Sequence, residues 1–137
     1  MKNNPEPYIK LDGYEIKDLS YTKNEKNLEA YKSNFEFIPK VALTKDKKNA
    51  KITINAKLKE NGENNMNSRA VSVVIEGFFT ISDEIKDQEE VLAQTLIVNG
   101  TAILFPYIRS MVSMISGLDS AQTIVLPTIN TTDLFGK

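Results

Sequence analysis

The sequence predicts an α+β domain, with an antiparallel sheet wetted on one face built before an apolar helix. Up to about residue 82 apolar and polar residues alternate with period two, and beyond it the period becomes helical. The helical part is also apolar over more than one face. One small sheet cannot cover it, so burial against other chains is expected.

The opening residues, 1–8, are polar, are expected to be flexible and hold no apolar run of the kind that starts a secretory signal. In Tyr14–Tyr21 the parity changes: Tyr14 and Ile16 fall on one side, Leu19 and Tyr21 on the other, which predicts a bulge near Lys17-Asp18. Residues 22–34 are too polar for a strand and too long for a hairpin turn, so they read as a crossover loop. Phe35, Phe37, Val41 and Leu43 share one parity. Ile52, Ile54, Ala56 and Leu58 alternate with polar residues in the cleanest strand of the chain. Val71, Val73, Ile75, Phe79 and Ile81 make the next set. The polar stretches Lys45–Ala50 and Glu60–Asn65 mark turns. Asp87-Gln88-Glu89-Glu90 predicts a capping box opening a helix to Val98, interrupted at Asn99-Gly100. A second helix follows with Leu104, Tyr107, Ile108, Met111, Val112 and Ile115 at helical spacing, a start or kink at Pro106 and a stop at Gly117. Thr123–Thr128 reads as extended, and Asn130–Asp133 as a helix start.

Composition narrows the chemistry. The chain has 137 residues, no cysteine and no histidine, which excludes disulfides, thiolate metal sites, a thiol nucleophile and the usual general base. No catalytic residue, cofactor or metal site is expected. A net charge of −1 gives no basic field for nucleic acid. The charge is uneven: residues 1–69 carry 14 Lys/Arg against 10 Asp/Glu, and residues 70–137 carry 3 against 8. The cluster Lys45, Lys47, Lys48 and Lys51 lacks the arginines and interleaved aromatics of a phosphate-binding surface and reads as a solvated turn. The acidic cluster Asp83, Glu84, Asp87, Glu89 and Glu90 reads as helix capping, with a catalytic carboxylate pair as the other reading. Arg109 is the only formal charge between Val91 and Leu118, but polar residues interrupt that stretch, so no membrane insertion is expected.

Ile38, Val74 and Phe78 lie on the parity opposite to the core set, so the wet face of the sheet is not wholly polar. With the wide apolar helix, this pattern favours an oligomeric binding module that keeps apolar surface open for other chains, with a plain homodimer as the other reading.

The block Ile103-Leu104-Phe105-Pro106-Tyr107 followed by Arg109 resembles the ILFPY-x-R block of the SecB protein-export chaperones. Lys17-Asp18-Leu19-Ser20-Tyr21 resembles that family's first-strand KDISF, and Phe37-x-Pro39-x-Val41-x-Leu43 its W-x-P-x-V-x-L. Gly77-Phe78-Phe79-Thr80-Ile81 resembles GGIFSI, and Asn130-x-x-Asp133-Leu134-Phe135 resembles NFDALF. The blocks run in order over residues 14–135. The resemblance implies one SecB-like domain over residues 1–137: a four-stranded antiparallel sheet with a long, interrupted helix packed on it. It also implies a cytoplasmic homotetramer, a dimer of dimers, that holds unfolded precursor or client polypeptides without ATP and passes them to the SecA motor.

By position, the resemblance makes Phe35, Phe37, Ile38 and Pro39 client-binding candidates, with Val74 and Phe78 beside them; each has core or dimer interface as its other reading. Ile103, Leu104, Phe105, Tyr107, Arg109, Met111 and Met114 are expected at the oligomer interface or in the core, Arg109 with a carboxylate or carbonyl partner across that interface. Of the family's acidic SecA-contact positions, Asp18 is retained, whereas Thr22 and Ser72 are neutral. The family's C-terminal helix and basic tail are expected to be largely missing. The alternatives are a dedicated chaperone of one client, such as an antitoxin in a toxin–antitoxin system, and an oligomeric interaction module without general chaperone activity. A small α+β cone enzyme with an Asp/Tyr acid–base pair fits less well, because that fold usually places helices before its main strands.

Overall fold

The computed structural model describes residues 7–62, 68–119 and 122–134. Four strands pair antiparallel in the order β1-β4-β3-β2, from β1 (Ile9–Thr22), β2 (Phe35–Leu43), β3 (Asn49–Glu60) and β4 (Arg69–Ile81). β3 and β4 are central. Their alternation puts Ile52, Ile54, Ala56, Val71, Val73, Ile75 and Phe79 on one face, all buried. Each large aliphatic side chain so buried contributes about 1.5–3 kcal/mol.

β1 and β2 are adjacent in the chain but lie on opposite edges of the sheet, so residues 23–34 cross from one edge to the other. That connection contains a short helix, α1 (Glu25–Leu28), capped by the Asn24 side chain, which accepts from the amides of Lys26 and Asn27. Leu28 anchors it in the interior. The register of β1 on β4 slips between Ile16 and Asp18, where the change of parity predicted a bulge, and slips again between Leu11 and Gly13. Thr44–Asn49 closes the β2–β3 hairpin as a lysine-rich exposed turn. In it, Asp46 Oδ1 accepts from Thr44 Oγ1 at 2.7 Å and from the Lys48 amide at 3.0 Å. Those two bonds hold the Asp46 carboxyl below the usual range.

The helical part differs from expectation in three ways. The helix is not broken at Asn99-Gly100: α2 (Glu89–Gln94), a π-helical turn (Thr95–Gly100) and α3 (Thr101–Gly117) form one continuous helix of 29 residues. The reason lies in residue spacing. Leu92, Leu96, Gly100, Leu104, Ile108 and Val112 are all buried at intervals of four. In a straight α-helix such a series would rotate by about 40° per step. A wider i→i+5 turn takes up part of that rotation and keeps the stripe on the sheet. Gly100 serves close approach, not termination: a Cβ there would run into Ile52 Cδ1. Second, of the start or kink expected at Pro106 the start does not occur: Pro106 sits inside α3 on its exposed side, beyond an exposed Ala102 whose carbonyl can meet water. Third, Asp87 does not cap: Gln88 holds the N-cap position without a side-chain cap bond, its Nε2 donating instead to the Glu84 carbonyl at 2.7 Å.

Joined in this way, the helix is long and apolar enough to cross a membrane by length and composition. Yet Leu92, Leu96, Leu104, Ile108, Met111 and Val112 are buried in this chain's own core, which makes it the core helix of the sheet. Past Gly117 the chain turns back along the helix. Over 123–128 it forms no strand, but Ile124 and Leu126 are buried and alternate with exposed neighbours. A short 3₁₀ turn (Thr131–Leu134) follows. The expected flexible start falls outside the described residues over 1–6, as does the second predicted turn over 63–65.

Candidate functional site

Edge position builds the site. On β2, Phe35, Phe37, Pro39 and Val41 point to the same face as the central core residues, opposite Leu58, Ala56, Ile54 and Ile52. The long helix crosses the centre of the sheet, so these four stay only half-buried. Phe35 and Phe37 lie with ring centroids 6.2 Å apart, and Phe37 meets Phe105 of α3 at 6.0 Å. Beside this aromatic row is a hollow of about 580 Å³. Phe35, Phe37, Ile38 and Pro39 form its sheet side, Ile97 its helix side, and Ile129, Asn130 and Asp133 its far wall. A second hollow of about 390 Å³, lined by Val41, Leu43, Leu92, Ala93 and Leu96, continues it past the shared Ile97. Together they form an apolar groove along β2. Lys47 and Glu89 stand at one end and Asp133 at the other.

Four of the six client-binding candidates, Phe35, Phe37, Ile38 and Pro39, therefore line one groove. Ile38 belongs to the opposite parity but reaches the rim from the edge and is 47% exposed. Val74 and Phe78 do not join them. They point to the other face of the sheet, where Phe78 lines a shallow hollow with Ala42, Leu43 and Lys51. Their parity, opposite to that of the core set, places them there, whereas the resemblance set them beside Phe37. Of the interface or core candidates, Leu104 and Met111 are buried within the chain's own core. Leu104 sits against Gly77, where an added Cβ would fall 2.8 Å from either methyl carbon. Ile103 and Phe105 are half-buried against the core. Tyr107 and Met114 are exposed, Tyr107 stacking on exposed Tyr14 with centroids 4.6 Å apart. Arg109 is exposed and has no ion pair among the described residues. Asp18 is exposed on the open sheet face across from Val74, accepting from Ser20 Oγ at 3.2 Å.

Ile97, Ile129, Asn130 and Asp133 were not foreseen. The far wall, formed by the last three, is tied down elsewhere. Arg69, 6% exposed, donates Nη2 to the Gln122 carbonyl at 2.7 Å and Nε to Glu60 Oε1 at 2.8 Å. Burial opposes the Arg69 charge, but Tyr21 and Glu60 outweigh it and favour the protonated form. The buried Ser116 hydroxyl donates to the Val112 carbonyl at 2.8 Å and accepts the Ile124 amide at 2.8 Å. Nearby, the Tyr21 hydroxyl donates to Asp119 Oδ2 at 2.6 Å and Lys23 pairs with the same carboxylate at 3.2 Å. The Tyr21 hydrogen bond, then Lys23, hold the Asp119 carboxyl below its usual range. Burial first, then Asp119, push the Tyr21 hydroxyl up. Among the described residues no cluster of His, Cys, Asp or Glu could hold a metal.

The chain is thus an α+β domain, one sheet with one long helix, and carries an apolar groove at one edge of the sheet. The profile of SecB, described as preprotein translocase subunit SecB, matches residues 2–137, and the chain belongs to that family of chaperones. An uncharacterized protein of Methanocaldococcus jannaschii is 28% identical over 134 residues, covering 95% of this chain and 84% of that one. Among solved structures, the Rv1957 SecB-like chaperone of Mycobacterium tuberculosis, in complex with a ChAD peptide from the Rv1956 HigA1 antitoxin, has a similar fold. It superposes with a TM-score of 0.70 at 17% identity, covering 89% of this chain and 91% of the other. A protein of unknown function from Streptococcus agalactiae follows with a TM-score of 0.57 at 14% identity, covering 88% and 97%.

Proposed function

We propose that this chain is an ATP-independent holdase that binds non-native polypeptides in the groove along β2. The observation that carries this reading is the continuous apolar groove with Phe35, Phe37 and Ile97 at its centre. Half-exposed apolar side chains without directional polar groups favour many weak, sequence-tolerant contacts, the chemistry an unfolded segment offers. The working form is a cytoplasmic homotetramer. Exposed Tyr14, Ile16, Tyr107 and Met114 supply apolar surface for its interfaces. Its clients are precursors for export, with SecA coupling weakened by the neutral Thr22 and Ser72 beside Asp18.

A second reading is a chaperone dedicated to one client, such as an antitoxin. The peptide-bound Mycobacterium tuberculosis chaperone of similar fold supports it. One experiment addresses both. Light scattering of an aggregation-prone client is followed during refolding, without nucleotide, with and without this protein. Suppression at near-equimolar tetramer across unrelated clients supports the general holdase. Suppression confined to one client supports the dedicated form, and none at all across several clients leaves general chaperoning without support.

A further inference from the structure

We propose that the outer edge of β2 is itself part of the polypeptide site, pairing an extended client segment as a fifth strand. The inference rests on the reading of the groove as a polypeptide site. The Asn34 carbonyl accepts from the Lys59 amide at 2.8 Å, and the Thr44 amide donates to the Asn49 carbonyl at 3.0 Å. Even-numbered positions of β2 therefore carry the ladder to β3, and odd-numbered ones turn their amides and carbonyls outward. Among the described residues no backbone hydrogen bond reaches that outer side; Ser33 Oγ, donating to the Phe35 carbonyl at 3.2 Å, is the side-chain contact there.

The same edge runs along the groove, and this coincidence selects the occupant. An extended backbone paired with Phe37, Val41 and Leu43 would place alternate side chains, about 7 Å apart, over the two hollows on either side of Ile97. A helical segment could fill the hollows but would leave the edge unpaired. Pairing through the backbone is blind to sequence, while the hollows ask only for apolar residues at alternate positions. β2 pairs with β3 without a register shift, and its charges, Glu36 and Lys40, lie on the other face, so nothing charged on the strand guards the groove side. Pro39 is the single interruption. Its nitrogen faces outward and removes one donor from an edge that is otherwise complete.

The test uses a labelled peptide of about ten residues with leucine at alternate positions, matched to the length of β2. Two isomers are N-methylated, one at the odd-numbered amides and the other at the even-numbered amides. The expected result is that one isomer loses tenfold or more in affinity while the other binds like the parent. If both isomers bind like the parent, side chains alone are read and edge pairing is overturned while the groove stands. Equal losses in both isomers overturn it as well. If the parent does not bind, the polypeptide reading of the groove fails first. In a companion variant, Pro39→Val restores the missing donor and should tighten the parent about two- to tenfold, the worth of one net hydrogen bond. Unchanged or weaker binding overturns the proposal, as does a Pro39→Val protein that dimerises through β2 and excludes the peptide.

Discussion

The two edges of the sheet face the same hazard and answer it differently. Any edge strand presents unpaired amides and carbonyls to other chains. β1 is long, slips register twice against β4, and carries Lys10, Asp12, Glu15, Lys17 and Asp18 along its exposed length. Asp12 at the first slip accepts from Thr80 Oγ1 at 2.6 Å. Bulges raise twist and charges repel a second strand, so β1 is blunted. β2 is shorter, regular and apolar on its groove side; it carries two charges, Glu36 and Lys40, both on the other face, and Pro39 interrupts the edge. An edge left open beside an apolar hollow is a liability in an ordinary protein. On the proposed function, it is what a client segment would use.

The largest effect expected is on chaperone activity. Phe37→Asp puts a charge between Phe35 and Phe105 and should abolish suppression of client aggregation. Phe78→Asp, on the far face, should leave most of it. Ile38→Asp, at the exposed rim, gives an intermediate loss with less risk to folding. Equal loss in Phe37→Asp and Phe78→Asp, with the oligomer intact in both by sedimentation, would move the site to the open face and erase the distinction between the edges.

Next in size is the effect of straightening β1. Leu11 pairs with Phe79 and Gly13 with Phe78, while Ile16 pairs with Ile75 and Asp18 with Val74. Asp12 and Lys17 are thus the extra residues, and deleting both leaves every later side chain on its present face. The double deletion should fold, unfolding within about 1–3 kcal/mol of the parent, the range of most single changes. It should also associate more strongly at the β1 edge, as seen by sedimentation velocity. Unchanged association would mean that charge alone, not the bulges, protects this edge.

Much of this was legible in residue order. Ile52, Ile54, Ala56 and Leu58 announced a central strand, and the change of parity after Ile16 announced a bulge. Ile9 and Leu11 carry the same change before Gly13, but two residues are too few to read. The fold class followed from period two giving way to a helical period. The π turn did not, because intervals of four from Leu92 to Val112 look like drift until a sheet holds one face still; Gly100 then reads as a break when it is a contact. Half of the site, Phe35, Phe37, Ile38 and Pro39, came by position from the family resemblance, while the shared parity of Phe35, Phe37, Val41 and Leu43 marked only a strand. The rest was not legible: Ile97 takes its orientation from the π turn, and Ile129 and Asp133 depend on where Arg69 and Ser116 pin residues 122–124. No local pattern encodes those long-range bonds.

A third test sharpens the contrast at β2 itself. Val41→Lys adds to the groove side the kind of charge that β1 carries in plenty. The lysine stem can lie along the groove with its ammonium in water, so the fold should hold. Client affinity should fall severalfold by fluorescence titration and solubility should rise. Unchanged affinity would restrict the site to the Phe35–Phe37 half.

The smallest effect ties the two edges together. Tyr21 and Lys23, at the end of β1, hold Asp119 just before the segment that forms the far wall of the β2 groove. The Asp119 carboxyl titrates below its usual range, chiefly through the Tyr21 hydrogen bond. A carboxyl depressed in the folded state binds its proton more readily when the clasp is open. Its contribution is therefore complete above the ordinary carboxylate pKa and fades as pH falls through the depressed value. Asp119 is exposed and the contribution small, so global stability should barely register it. Hydrogen-exchange protection over residues 122–134, taken relative to the intrinsic rate at each pH, should register it, falling in acid in the parent and already lower at neutral pH in Asp119→Asn. If that variant keeps full protection at neutral pH, Arg69 and Ser116 hold the wall alone, and the two edges are independent.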